Sequence, residues 1–200
     1  LPAQSARGRV EPPGGTRQRR GDPRARAEFH PDVFVAVAIG VAAGDQPHRG
    51  RIVDRDRLPF DALRAHVLPE LIAARSTVRQ LRIWCAASST GQEPYSIAMT
   101  VSDFFENEKG WDVKILATDL DTEILGSAYK GVYSSHQVGP VPISFITRYF
   151  DRCAEGYEVN RRIKGMISFR RLNLMDGVFP MKRPFDVIFC RNVMIYFNEE

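Results

Sequence analysis

The stretch Leu81 to Ser96, LRIWCAASSTGQEPYS, decides how the rest of the chain is read. Ile83, Trp84, Cys85 and Ala86 form an apolar, β-favouring run, small and hydroxyl residues follow as far as Gly91, and Glu93-Pro94 precedes a helical pattern. This predicts strand, tight loop and helix. Small side chains from Ala86 to Gly91 let a ligand approach the backbone closely, and Pro94, with φ held at about −65° and no N–H to lose, suits a helix's first turn. In an open α/β sheet the carboxyl end of such a strand faces the crevice where cofactors bind. An ordinary βα turn reads the same from this stretch alone.

Downstream, Ile97, Ala98, Val101, Phe104 and Phe105 share one side of a helix over Tyr95 to Glu106, closed by Lys109-Gly110. Val113 to Leu120 then reads as a buried strand ending in Asp119 and Asp121, which completes a βαβ unit with a right-handed crossover. A carboxylate at that position is where nucleoside-binding folds accept from ribose hydroxyls. Asp119 could instead cap the next helix, a role Asp121 or Thr122 could equally fill. A short helix over Thr122 to Tyr129 ends at Gly131, and another covers Ile143 to Phe150. Tyr157 to Lys164 and Met166 to Leu172 read as strands of a hairpin joined around Gly165, carrying Arg161, Arg162, Lys164, Arg170 and Arg171 as a solvated face or a dock for an acidic partner. Phe185 to Cys190 is a further apolar strand, with Arg191-Asn192 at its crevice end. The class is α/β, a doubly wound mostly parallel sheet with strands near residues 81, 113, 167 and 185 and a small antiparallel subdomain. Such sheets continue outward past the switch point, so this one reads as unfinished, with its C-terminal strands expected to be missing after Glu200.

Ahead of these units, Phe60, Leu63, Val67, Leu68 and Leu71 recur at helical spacing and predict a linker helix within residues 58–80, broken or kinked at Pro69. Residues 1–57 combine Pro-Gly clusters, an Arg run and one apolar island, Val33 to Ala43, and read as an irregular, disordered or non-native arm. That arm holds eleven Arg against seven Asp and Glu, which accounts for the whole net charge of +4 and leaves the remainder neutral. A basic folded face for nucleic acid is therefore not implied. Cys85, Cys153 and Cys190 are widely spaced, without zinc-type pairing, and read as free thiols in a reducing compartment. No apolar run approaches the roughly 20 residues of a membrane span. A nicotinamide dehydrogenase is excluded by the lack of G-x-G-x-x-G.

Taken together, W-x-A-x-S-S-T-G-Q-E-P-Y-S at 84–96, L-A-T-D-L-D at 116–121, R-L-N-L at 171–174 and F-D-V-I-F-C-R-N-V-M-I-Y-F at 185–197 resemble the chemotaxis-receptor glutamate methyltransferases, the CheR-type enzymes that use S-adenosylmethionine. The resemblance covers residues 58–200 and implies a Rossmann-like class I methyltransferase fold over 81–200, with 157–172 as the family's small β-subdomain. It implies that Ala87 and Glu93 line the methionine end of the cofactor and that Asp119 accepts from the ribose. Asn173 and Leu174 would meet the adenine, with Arg191 and Asn192 approaching from the fourth strand. Tyr196 is expected near the transferred methyl, and Arg55, at the end of the family's N-x-T-x-F-F-R-D motif, is the second expected catalytic residue. Arg49, Arg51, Val53 and Asp54 stand where that motif has Asn, Thr and two Phe. Ala87 and Ser88, where many relatives have Gly and Cys, suggest that small size, and not glycine itself, is what the loop requires.

A glutamate carboxylate is already nucleophilic at neutral pH, so alignment does most of the catalytic work and no Ser-His-Asp or metal constellation is needed. His66 and His136 are read as structural or exposed. The implied function is methyl transfer to glutamates on the cytoplasmic helices of methyl-accepting chemoreceptors, leaving S-adenosylhomocysteine. The implied protein is a cytoplasmic monomer without nucleic-acid partners or membrane insertion. The short Asp151 to Gly156 segment suggests independence from a receptor C-terminal peptide. The competing reading is a cofactor-binding module without turnover, serving as a receptor or scaffold partner.

Overall fold

The computed structural model describes residues 35–37, 52–176 and 178–191. In chain order it contains β1 (Val35–Val37), α1 (Ile52–Ala62), a π-helical turn (Leu63–Val67), α2 (Leu68–Arg75), β2 (Gln80–Ala86), α3 (Gln92–Phe104), β3 (Asp112–Asp119) and α4 (Thr122–Lys130). There follow β4 (Val132–Tyr133), α5 (Ser135–Val138), α6 (Ile143–Tyr149), β5 (Phe150–Cys153), β6 (Gly156–Val159), α7 (Arg161–Lys164), β7 (Ile167–Arg171) and β8 (Val187–Cys190).

The main sheet is parallel throughout, in the order β1-β8-β2-β3-β7, so β2 lies at its centre. Alternation along β2 builds two cores. Leu81, Ile83 and Cys85 join the buried Leu63, Leu68, Leu71, Ile97, Val101, Ile115 and Phe189 on one face. Trp84 and Ala86 turn to the other face, where Leu172, Leu174, Phe185 and Ile188 cover them. Each fully buried Leu or Ile contributes on the order of 1.5–3 kcal/mol to holding helix against sheet. No helix among the described residues is long and apolar enough to cross a membrane.

Three sequence expectations change. The helix expected from Leu58 begins at Ile52, and the anticipated break precedes Pro69 as a π turn. Pro69 cannot donate to the carbonyl one turn back, and the chain adapts with a wider bond from the Leu68 N–H to the Leu63 carbonyl. The apolar island in the presumed arm supplies β1, which pairs with β8 and gives the sheet five strands instead of four.

The third correction is the hairpin. Tyr157 to Leu172 does not fold on itself, because Asn160 caps a helical turn, its Oδ1 accepting from the Ile163 N–H at 3.1 Å. β7 then leaves for the edge of the main sheet beside β3. The real hairpin is β5–β6, and with β4 it makes a separate antiparallel sheet in the order β4-β6-β5. The segment from Asp151 to Gly156 is therefore the end of β5, a tight turn and the start of β6. At Gly156, φ is 133°, and a Cβ would come within 2.5 Å of the Tyr133 carbonyl oxygen.

Candidate functional site

The parallel register brings the carboxyl ends of four strands into one row. Ala86 of β2 is level with Thr118 of β3 on one side and Cys190 of β8 on the other, and Thr118 is level with Arg170 of β7. One residue further stand Ala87 and Arg191, just past β2 and β8, and Asp119, the last residue of β3. Asn173 lies two residues beyond Arg171, the register partner of Asp119.

The loop after β2 reaches α3 through left-handed backbone at Ala87 (φ 57°), Ser89 (φ 47°) and Gly91 (φ 88°). Gly91 is irreplaceable on two grounds: its conformation, and the 2.9 Å at which an added Cβ would meet the Ala128 Cβ. Ala87 revises the idea that small size alone is required. Its conformation is one that glycine adopts freely and a Cβ opposes, so the methyl is carried under strain. Tyr133 of the antiparallel sheet holds the loop from outside, its hydroxyl donating to the Thr90 carbonyl at 2.9 Å. Burial raises the Tyr133 phenol well above its ordinary range, so it stays a donor.

Asp119 does not cap α4. Asp121 does, with Oδ1 accepting from the Glu123 and Ile124 N–H groups at 2.8 and 3.2 Å. Asp119 instead accepts from the Ser89 N–H through Oδ2 at 2.8 Å and from the Asp121 N–H through Oδ1 at 3.2 Å. These bonds aim a half-exposed carboxylate along the loop and leave lone pairs on both oxygens.

Glu93 lies in the first turn of α3, where a carboxylate favours the helix dipole. Its Oε1 accepts from Arg191 Nη1 at 3.1 Å, and its Oε2 lies 3.3 Å from the Cys85 sulfur. Cys85 is fully buried. Burial first, and then the adjacent Glu93 charge, push its thiol far above the ordinary range, so it donates to the carboxylate. The Cys190 thiol is raised for the same two reasons.

Asn173 is engaged locally, its Oδ1 accepting from the Met175 N–H and its Nδ2 donating to Asp176 Oδ1, both at 3.0 Å. Leu174 packs into the Trp84 cluster. Trp84 itself donates to Thr118 Oγ1 at 2.9 Å and meets the rings of Phe179 and Phe185, so it anchors the segment after Asn173 to the sheet. The structure thus brings together Ala87, Glu93, Asp119 and Arg191, with Asn173 and Leu174 on the adjoining segment. Asn192 and Tyr196 lie outside the described residues, and Arg55 falls within α1. Sequence reasoning missed Cys85 and Tyr133 as members of this neighbourhood. Cys85 sits in an apolar strand run that reads as a buried free thiol, Tyr133 lies in the Pro- and Ser-containing passage after Gly131, and neither carries a local sign of a partner. Among the described residues no group of His, Cys, Asp and Glu could hold a metal ion.

A parallel sheet with a Gly-capped loop at its central strand, and a carboxylate at the end of the next, defines a Rossmann-like α/β domain with its crevice at the carboxyl edge. Comparison with known proteins gives the family. The family described as "CheR methyltransferase, SAM binding domain" matches residues 53–200. A probable chemotaxis protein methyltransferase of Rhizobium etli is 45% identical over 149 residues, 72% of this chain and 55% of that protein. The chemotaxis protein methyltransferase of Borreliella burgdorferi is 39% identical over 150 residues (73% and 53%), and that of Escherichia coli 40% identical over 141 residues (68% and 49%). The chain spans about half the length of the curated relatives it matches. It belongs to the CheR methyltransferase family.

Proposed function

We propose that this chain carries the cofactor-binding domain of an enzyme that moves a methyl group from S-adenosylmethionine to glutamate side chains on the cytoplasmic helices of methyl-accepting chemoreceptors. The observation that carries the reading is the pair of carboxylates, Asp119 and Glu93, held by backbone N–H groups and by Arg191 at the two sides of a small-residue loop. The donor set suits the group: an adenosine with a cationic sulfonium and an ammonium calls for carboxylates at its polar ends and an apolar slot for its base.

In this reading Asp119 accepts from the ribose hydroxyls, and its two backbone bonds keep it aimed without a ligand. Asn173 and Leu174 border the adenine, on the segment that Trp84 fastens down. Ala87 and Glu93 line the methionine end, where the lack of a long side chain at Ala87 leaves room. Arg191 and Asn192 approach from β8, and Tyr196 and Arg55 act beside the transferred methyl. Bound there, S-adenosylmethionine supplies an electrophilic methyl on a sulfonium sulfur. The receptor glutamate needs no general base, so the protein's work is alignment and the exclusion of water.

The test is methyl transfer from radiolabelled S-adenosylmethionine to receptor-bearing membranes. The expected product is a methyl ester released by mild base, and its loss when the receptor's methyl-accepting glutamates are changed to alanine identifies the acceptor. Label in a base-stable linkage, or none, contradicts the reading.

A further inference from the structure

Glu93 is the side chain of the edge with the most freedom to lose. It stands in the first turn of α3 with three rotatable bonds, and a single ion pair to Arg191 would leave its carboxylate free to swing about the contact. A second contact, to the other oxygen, removes that freedom. Cys85 makes it from below: its sulfur is 3.3 Å from Oε2, while Arg191 Nη1 is 3.1 Å from Oε1. Cys85 ends near the top of β2, Arg191 follows β8, and the two strands are neighbours in the sheet. The carboxylate is therefore tied at both oxygens to adjacent strands.

Building on the methyltransferase reading, we propose that Cys85 is a positioning residue: its buried thiol, by donating to Glu93 Oε2, fixes the plane in which Glu93 meets the methionine end of the cofactor. A thiol suits the task in this place. It is a weak donor that packs as a small hydrophobe, so it fills the apolar face of β2 beside Ile83 and Phe189 and still satisfies one carboxylate oxygen. Its proton is secure, since burial and the neighbouring carboxylate both oppose ionisation. A serine keeps the donor, and an alanine keeps the small volume without it. The two substitutions therefore separate hydrogen bonding from packing.

Two measurements on the intact protein test this. The first needs no cofactor: the infrared S–H stretching band isolated as the difference between wild type and Cys85→Ala. It is expected at the lowered frequency of a hydrogen-bonded thiol and should move back in Glu93→Met, which is similar in length and has no oxygen to accept from it. A band unmoved by that change overturns the proposal. The second is calorimetric titration with S-adenosylhomocysteine. Cys85→Ala should bind about fivefold more weakly than wild type and Cys85→Ser within about twofold of it, the size of one modest hydrogen bond. Equal binding by Cys85→Ala, or equal loss in both variants, overturns the positioning role alone. A wild-type protein that binds no S-adenosylhomocysteine contradicts the methyltransferase reading itself, and with it the positioning role.

Discussion

Arg191, the first residue after β8, donates to Glu93 in the first turn of α3 at 3.1 Å, and the two side chains are only 9% and 17% exposed. A strand end and a helix start distant in sequence are thereby joined by one nearly dry ion pair. Removing one partner strands the other in a poor solvent. Arg191→Met should lower unfolding stability by about 2 to 4 kcal/mol, read from urea midpoints, and Glu93→Gln by less because it keeps an acceptor.

Asp119 separates folding from binding in the opposite sense. Its stability role is two bonds from backbone N–H groups to a half-exposed carboxylate. Asp119→Asn retains an acceptor for one of them, so a stability change of about 1 kcal/mol or less is expected. On the proposed role of Asp119 at the ribose, cofactor affinity, measured by equilibrium dialysis, should fall at least tenfold, since an amide replaces one charged acceptor.

Opposite outcomes are expected from two small changes in the loop. Ala87→Gly relieves a left-handed Cβ at φ 57° and should stabilise by up to about 1 kcal/mol, the gain being trimmed by the greater freedom of the unfolded chain. Gly91→Ala puts a Cβ at φ 88° and 2.9 Å from Ala128, and should destabilise by about 2 kcal/mol or more. Thermal denaturation of the two variants beside wild type checks both signs.

Alkaline stability follows from the buried acids. Cys85 and Cys190 are raised above the ordinary thiol value of 9.0, and Tyr95 and Tyr133 above the phenol value of 10.0, in each case chiefly by burial. Above pH 9.0 the unfolded thiols ionise while the folded ones keep their protons. The unfolded state then binds fewer protons, and stability falls as pH rises, by up to about 1.4 kcal/mol per pH unit for each group. The tyrosines add to the slope above pH 10.0. Cys85→Ala should flatten the decline between these two values, as measured by urea midpoints across that range.

What the sequence makes legible, and what it hides, divides by range. The β2-loop-α3 unit, Asp119 at the end of β3 and Gly131 closing α4 announce themselves through local periodicity, turn chemistry and capping. The β7 segment misleads because its alternation suits any strand: the Asn160 cap breaks the chain ahead of it, and the pairing with β3 is a long-range choice that local pattern does not carry. β1 is three residues within the apolar island Val33 to Ala43, too short to carry a periodic signal of its own. The Cys85–Glu93 contact spans only eight positions, yet it depends on the left-handed path of the loop between them, which no spacing rule encodes.

The proposed cofactor site is the carboxyl edge of this sheet, with Asp119 aimed at the ribose of S-adenosylmethionine. Calorimetric titration of the intact protein and of Asp119→Asn with S-adenosylmethionine tests it most directly. Saturable one-to-one binding by the wild type, weakened at least tenfold in a variant that unfolds at nearly the same urea concentration, is the expected result. Absence of binding by the wild type, or equal affinity in the two proteins, would contradict it.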